Sequence, residues 1–172
     1  MTTLSQSDAQ FLADHSRHDP DFFWQSILGC TSVYNKQLEM ARAVRDHNRV
    51  AVVGANGTGK DWQSARVMLW WMATRSPAIC VVLGPTHRQV SDIVWKEARS
   101  AYLTARMPLG GQMYRTARWE YDDRRYAVGF STDNEYNIQG FHSPNLLVIL
   151  TEAHNIEQSH IDAVKRLNPA RM

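Results

Sequence analysis

Residues 50–60 read Val50-Ala51-Val52-Val53-Gly54-Ala55-Asn56-Gly57-Thr58-Gly59-Lys60. The apolar run at the start predicts a strand, and the apolar periodicity after the lysine predicts a helix over residues 60–74. A glycine-rich segment with the spacing G-x-x-x-x-G-K between a strand and a helix is typical of a phosphate-binding P-loop. Its glycines let backbone N–H groups turn toward phosphate oxygens, and the lysine neutralises the outer phosphates. The alternative is a glycine-rich turn with an exposed lysine.

The composition predicts one domain with a substantial core, because 172 residues with 44% hydrophobic content are too few for two. We expect residues 1–30 to form a helical N-terminal appendage and residues 31–172 to form the main domain. A net charge of +2 permits DNA binding without indicating it. The two cysteines, Cys30 and Cys80, favour a reducing, intracellular setting. The N-terminal 21 residues hold no apolar signal core, so a soluble protein is expected.

The order of predicted elements indicates an α/β fold, in which a mostly parallel sheet is flanked by helices and binds its ligand at the carboxyl ends of the strands. A continuous apolar run at residues 146–150 predicts a central strand that is buried on both faces. The other predicted strands are residues 79–83 and a hairpin of 117–121 with 126–131, and the other predicted helices are residues 6–17, 21–28, 34–47 and 86–107. Trp70, Trp71 and Trp95 are expected to be core residues.

A polar pair follows the apolar run of residues 146–150, namely Thr151 and Glu152. A carboxylate at the end of a buried strand can orient and deprotonate a water molecule that attacks a γ-phosphate. Glu152 is therefore the predicted general base, and Lys60 and Glu152 are the predicted catalytic residues. The alternative is that Glu152 caps the following helix.

Two positions depart from the usual P-loop chemistry. The residue after the lysine is usually Ser or Thr, which ligates Mg²⁺, and here it is Asp61. The position before Glu152 is usually Asp, and here it is Thr151. These positions are expected to face each other, so the chain exchanges a hydroxyl and a carboxylate across a predicted Mg²⁺ site. The carboxylate would then lie closer to the β-phosphate, and we expect weaker nucleotide binding and impaired hydrolysis.

Five segments together resemble the ATPase domain of the large terminase subunit of tailed bacteriophages, over about residues 30–160. They are Tyr34-Asn35-Lys36-Gln37, the glycine-rich loop, Gly84-Pro85-Thr86-His87-Arg88-Gln89-Val90, Ile138-Gln139-Gly140-Phe141-His142-Ser143-Pro144 and Leu147-Val148-Ile149-Leu150-Thr151-Glu152-Ala153. The resemblance implies an ATP-driven motor that packages double-stranded viral DNA into a procapsid, with a separate C-terminal nuclease domain. Its implied partners are DNA, a portal protein, a small terminase subunit and further copies in a ring, without a membrane. Its implied location is the cytoplasm of the infected bacterial host.

The resemblance also implies roles for single residues. Gln37 would read the adenine edge and Tyr34 would lie against the base, although both could simply begin a helix. With these two, the implied ATP-binding residues are Gly54, Ala55, Asn56, Gly57, Thr58, Gly59, Lys60 and Asp61. The family uses an arginine finger, for which the sequence offers Arg88, Arg99, Arg106, Arg115, Arg118, Arg124 and Arg125. The last residues precede the family's next strand and its coupling motif, so we expect a domain truncated at its C-terminus.

Two other functions stay open at this point. Thr151-Glu152-Ala153-His154 is one residue away from a DEAH box, which favours a superfamily 2 helicase or translocase. Alternatively, Asp61 and Thr151 could mark a non-catalytic nucleotide-binding module that serves in assembly.

Overall fold

The computed structural model describes residues 6–132 and 140–172, which form an α/β fold with helices on both faces of one mixed sheet. The α-helices of these residues are α1 Gln6–His18, α2 Pro20–Phe22, α3 Asn35–Asp46, α4 Lys60–Thr74, α5 Trp95–Thr104 and α6 Gln158–Arg166. The strands are β1 Ala78–Gly84, β2 Gln112–Met113, β3 Arg118–Asp122, β4 Arg125–Ser131 and β5 Leu146–Leu150. There are also two π-helical turns in these residues. Phe23–Ile27 directly follows α2, and Gln89–Val94 directly precedes α5.

The sheet has the strand order β2-β3-β4-β1-β5. β1 pairs in parallel with both β4 and β5, whereas β2 and β3 are antiparallel to their neighbours. The predicted hairpin is thus confirmed as β3 and β4, which are too close in sequence for the crossover that parallel pairing requires. The sheet is therefore mixed, and only its three-stranded core is parallel.

The middle strand of the three parallel strands is β1 rather than the predicted 146–150 run. All seven residues of β1 are buried, whereas β5 is the last strand of the five and its final two residues are only partly buried. A continuous apolar run indicates a strand that is buried on both faces of the sheet, and both β1 and β5 are such strands. It does not indicate which strands lie on either side of it. The prediction that β5 lies in the centre was therefore wrong among the described strands.

Alternate residues of each parallel strand are buried on opposite faces of the sheet. Cys80 and Val82 of β1 pack on the side of α4, whereas Val81 and Leu83 pack with Val164 of α6. Burial raises the pKa of the Cys80 thiol well above its usual range, so this cysteine is an inert core residue. The expected core tryptophans are confirmed, since Trp70, Trp71 and Trp95 are at most 3% exposed.

Residues 22–28 pack in the same core as α4, and α1 is joined to α4 by a hydrogen bond. Phe23 and Trp24 are fully buried within the larger apolar cluster, and the Trp24 ring meets Trp62 edge-on at 5.6 Å. The Trp70 indole N–H donates to the carbonyl oxygen of Ser16 at 2.7 Å, which fixes the end of α1 over α4. The end of α1 and residues 23–28 are therefore packed against the body of the fold.

The predicted strand at residues 50–53 is not part of the sheet. Its first residue is held by the other end of the chain, because the Val50 N–H donates to the carbonyl oxygen of Met172 at 2.8 Å. Arg171 in turn bridges to Leu147 of β5 in parallel. Beyond Val50 the run is exposed and forms no strand, and Val53 is 99% exposed. A strand needs a lateral partner for its N–H and C=O groups, and only the first residue of this run has one.

Replacing Val53 is therefore expected to be harmless to the fold. Val53→Ala should change the free energy of unfolding by less than about 0.5 kcal/mol, because the side chain contributes almost no buried surface. The matched substitution Val82→Ala in β1 should cost about 2 kcal/mol, because it leaves a cavity in a fully buried strand. Urea unfolding of both variants measures the difference, and equal losses would contradict the exposed position of residue 53.

Candidate nucleotide-binding site

The glycine-rich loop is an exposed bend that ends at the first residue of α4. Gly57 and Gly59 have φ angles of 79° and 80°, a left-handed conformation that side chains disfavour. Gly59 is also the N-cap of α4. The N–H groups of a first helical turn have no acceptor within the helix, and they carry the positive end of the helix dipole. The bend therefore ends in a set of donors suited to an anion.

Lys60 folds back over this bend. Its Nζ donates to the carbonyl oxygens of Gly54 at 2.8 Å and Ala55 at 2.9 Å. The Thr58 hydroxyl donates to the same Ala55 oxygen at 2.9 Å and closes the turn. Among the described residues, the acceptors of the ammonium group are thus neutral carbonyl oxygens. Phosphate oxygens would be stronger acceptors for it, because they carry a negative charge that attracts the ammonium group and a carbonyl oxygen does not.

Asp61 and Thr151 meet across the site. The Thr151 hydroxyl donates to Asp61 Oδ1 at 3.0 Å, over 90 residues of sequence. Thr151 is 6% exposed and directly follows β5, while Asp61 lies in the first turn of α4. The exchanged hydroxyl and carboxylate therefore face each other. Their contact joins the start of α4 to the carboxyl end of β5.

Glu152 has a strained backbone, with φ 50° and ψ 46° in the left-handed region. Such a conformation costs a residue with a side chain on the order of 1–3 kcal/mol and is concentrated at functional sites. Its carboxylate lies 3.6 Å from His154 Nδ1, and its side chain is 25% exposed. Glu152 is therefore accessible to solvent at the end of β5, and it precedes the 3-10 turn Ala153–Asn155.

One cavity of about 730 Å³ connects these groups, and Lys60, Asp61, Thr151 and Glu152 all line it. Its size is typical of small-molecule sites, which commonly measure roughly 300–1,000 Å³. It extends along β5 from Leu147 to its carboxyl end, between this strand and residues 50–54. Ligands of open α/β sheets bind at that end of the strands. The floor is apolar and includes Val67 of α4. Polar groups thus converge on one side of a largely hydrophobic recess.

The donors suit a magnesium ion that arrives with phosphate, and they do not form a metal site by themselves. Among residues 6–132 and 140–172, no three His, Cys, Asp or Glu side chains are grouped as ligands. Asp61 supplies one carboxylate and Thr151 one hydroxyl. Mg²⁺ usually binds to one or two carboxylates, keeps several waters and takes the remaining oxygens from substrate phosphates. The pair fits that role.

Gln37 and Tyr34 lie at the start of α3, beside the loop. Gln37 is buried, and its Oε1 accepts from the Tyr34 N–H at 3.0 Å, so the amide caps the helix. A Cβ on Gly59 would lie only 3.0 Å from Gln37 Nε2. Gln37 therefore contacts the loop, and pairing of its whole amide with adenine would require the helix cap to open. Tyr34 is 77% exposed.

The candidate arginines differ in what already binds them. Arg99 donates to the carbonyl oxygen of Tyr114, Arg118 to the Glu120 carboxylate and Arg125 to the carbonyl oxygen of Met72. Arg88 is exposed just beyond the carboxyl end of β1. Glu152 lies beyond the carboxyl end of β5, at the same end of the sheet. In the resemblance segment of residues 138–144, Ile138 and Gln139 lie outside the described residues. Phe141 stacks on Phe130 with ring centroids 6.0 Å apart.

The chain matches no protein-family model and no curated protein, so a function has to be argued from the site. In the part of the chain that the structure describes, no helix is both long and apolar enough to cross a membrane.

Sequence reasoning missed two features of the site, the left-handed backbone of Glu152 and the capping role of Gln37. A positive φ is uncommon for glutamic acid, so no sequence pattern indicated the left-handed backbone of Glu152. The second had a signal, because a glutamine three residues after an N-cap is half of a capping box. The capping box was not recognised because its N-cap residue is Tyr34, whereas Ser or Thr is usual at that position.

The exchanged pair allows a test in which one hydrogen bond is kept and its direction reversed. In the double variant Asp61→Thr, Thr151→Asp, the hydroxyl would stand on α4 and the carboxylate at the end of β5. We expect about tenfold tighter ATP binding and faster phosphate release, because a negative charge moves away from the β-phosphate. Calorimetry and a phosphate-release assay measure both quantities. The single variants complete the double-mutant cycle, and equal rates in all four proteins would show that the exchange has no consequence.

Proposed function

We propose that this chain is a nucleoside triphosphate-hydrolysing motor domain of the large-terminase type, which uses ATP and Mg²⁺ to move double-stranded DNA. One observation supports the proposal above the others. The contact between Asp61 and Thr151 brings the start of α4 and its lysine loop to the carboxyl end of β5, directly beside Glu152. A phosphate-binding loop next to a strand-end carboxylate is the arrangement that hydrolysis of a triphosphate requires.

The residues divide the chemistry between them. Lys60 exchanges its two carbonyl acceptors for phosphate oxygens, and the N–H groups of the bend bind the remaining charge. Glu152 accepts a proton from the water molecule that attacks the γ-phosphate. Mg²⁺, bound by Asp61, Thr151 and phosphate oxygens, would offset the charge of the leaving diphosphate. Catalysis then rests on positioning and electrostatics, as is general for phosphoryl transfer.

The DNA-packaging part of the proposal rests on the five resemblance segments. Two of them meet at one sheet edge, since β1 and β5 are parallel and the segments at their carboxyl ends are the Gly84-Pro85-Thr86 turn and Thr151-Glu152. The exposed Arg88 follows that turn. Arg88 is our candidate for the arginine finger, because it is exposed at the end of the sheet where Glu152 lies.

DNA-stimulated phosphate release tests the proposal. We expect ATP hydrolysis that rises several-fold when double-stranded DNA is added, without separation of the strands of a tailed duplex. Strand separation would instead identify a superfamily 2 helicase. Binding of ATP without turnover, with or without DNA, would identify a non-catalytic nucleotide-binding module. The Asp61–Thr151 contact favours this last function more than the helicase, because the carboxylate stands where a hydroxyl is usual.

A further inference from the structure

The apolar part of the cavity is a slot between β5 and the exposed run before the glycine-rich loop. One wall is formed by residues 147–150 of β5 and the other by residues 50–53. Val67 of α4 and Ile161 of α6 also line it, and these two helices pack on opposite faces of the sheet. The slot thus has apolar side chains on all sides, and it leads to the polar groups of the nucleotide site.

At the amino end of β5, Arg171 occupies the entrance of this slot. Its N–H donates to the carbonyl oxygen of Leu146 at 3.2 Å, and its carbonyl oxygen accepts from the Val148 N–H at 3.0 Å. The two bonds form a parallel bridge between Arg171 and Leu147. The chain at Arg171 therefore runs in the same direction as β5, toward the nucleotide site.

Met172 bonds to the opposite wall of the slot. Its N–H donates to the carbonyl oxygen of Asn48 at 3.0 Å, and its carbonyl oxygen accepts from the Val50 N–H at 2.8 Å. Successive residues of a strand within a sheet bond to opposite neighbours in this way. Arg171 and Met172 thus bond as two residues of a strand between β5 and residues 48–50. The slot is one strand wide at this point.

Further along the slot, the outer edge of β5 has backbone groups that lack a partner. The Thr151 N–H donates to Leu83 of β1, so alternate residues of β5 bond to β1 and the others face the slot. Beyond the bonds to Arg171, these are the Val148 carbonyl oxygen and both backbone groups of Leu150. In the part of the chain that the structure describes, no hydrogen bond reaches them. Val148 is 1% exposed, and a buried carbonyl without a donor is costly.

We propose that the slot binds a short apolar β-strand that continues from Met172 in parallel with β5, and that this strand draws residues 51–53 into the sheet. The edge of β5 left beyond the Arg171 bridge is about four residues, or about 13 Å, long. The lining selects apolar side chains on both faces of the strand. A separate peptide in the same direction would first have to displace Arg171 and Met172 from the entrance.

The strand would also affect the nucleotide site. Residues 51–53 lead directly into Gly54, whose carbonyl oxygen accepts from Lys60 Nζ. A strand that fixes this run in advance reduces the conformational entropy that ATP binding has to remove. ATP and the strand should therefore favour each other's binding, because coupling between two sites is reciprocal. This effect on ATP rests on the proposed function, whereas the pairing of the strand does not.

The first experiment adds five residues, all valine or isoleucine, after Met172. The first added residue would pair with Val148 and Leu150, and the second with Val50 and Val52. We expect hydrogen exchange of the Leu150 and Val52 amides to slow at least about tenfold. The thermal midpoint should rise by about 4 °C, and ATP should bind about tenfold more tightly.

The matched control has the same added length with proline at the first and third added positions. Proline has no N–H to donate to the Val148 and Leu150 carbonyl oxygens, and it is excluded from the interior of a sheet. The exchange rates, thermal midpoint and ATP affinity of this control should equal those of the protein without added residues.

A substitution on the opposite wall provides a second test. Val52 is 43% exposed and lies outside the strands, so Val52→Pro should change the thermal midpoint little in the original protein. In the extended protein it removes an N–H that the added strand needs, and the gain in ATP affinity should disappear. Val52→Ala keeps that N–H and should keep the gain.

The outcomes separate this inference from the proposed function. The inference is overturned if the apolar extension and its proline control protect Leu150 equally, or if Leu150 is protected and Val52 is not. Protection that depends on protein concentration would assign the strand to another copy and also overturn it. Unchanged ATP affinity in a protected protein would overturn the coupling. If both amides are protected but no variant binds ATP, the proposed function fails and the strand site remains.

Discussion

Replacing Glu152 by glutamine is expected to lower ATP turnover by about 10²- to 10⁴-fold, with ATP affinity unchanged. Glutamine has the same shape and can hold the water molecule, but it cannot take up the water's proton. The measurement is phosphate release under single-turnover conditions, alongside calorimetric binding of ATP. The left-handed backbone at residue 152 is equally strained with either side chain, so the folded structure is unaffected.

Two further variants control this result. Glu157→Gln changes an exposed carboxylate just before α6 and should leave turnover as it is. Glu152→Gly should abolish turnover while raising the free energy of unfolding by about 1 kcal/mol, because glycine tolerates φ 50°. A gain in stability together with a loss of activity is expected of a residue whose strained backbone serves catalysis. Full activity of Glu152→Gln would remove this carboxylate from the mechanism.

Replacing Lys60 by alanine is expected to weaken ATP binding by about 100-fold, equivalent to about 2.7 kcal/mol, through loss of charge-assisted hydrogen bonds to phosphate. Thermal stability should hardly change, because the Lys60 ammonium binds the carbonyl oxygens of Gly54 and Ala55 in an exposed loop. Calorimetry with ATP and a thermal melt measure the two effects.

Lys165→Ala is the matched control for the lysine. Lys165 is half-exposed on α6, where it pairs with Asp162 at 3.3 Å, and exposed ion pairs of this kind contribute little. Its removal should leave ATP affinity unchanged. An equal loss in both variants would point to a general charge effect. Undiminished affinity of the Lys60 variant would exclude the loop from nucleotide binding.

The local elements were predictable where their signals lie within a few residues. α4 begins and ends as expected because a left-handed glycine precedes it and the apolar periodicity stops at Thr74. The β3–β4 hairpin follows from the short polar turn between two apolar runs. The contact between Asp61 and Thr151 was also predicted. In a P-loop fold the start of the helix after the loop lies next to the end of the strand that carries the catalytic carboxylate.

What could not be predicted depends on lateral neighbours and on distant packing. Val50 to Val53 has the composition of a strand, but a strand also needs partners at its edges, and those come from residues more than 90 positions away. The same reason placed β5 at the end of the described strands rather than at the centre.

The amino-acid sequence alone thus determined which segments become helices, which loop is rich in glycine and which polar residues end the strands, because short-range sterics and periodicity set these features. Only the tertiary structure decided the strand order, the position of residues 51–53 outside the sheet and the strained backbone of Glu152. The strand order and the position of residues 51–53 depend on contacts between segments far apart in the chain, and no local pattern records such contacts.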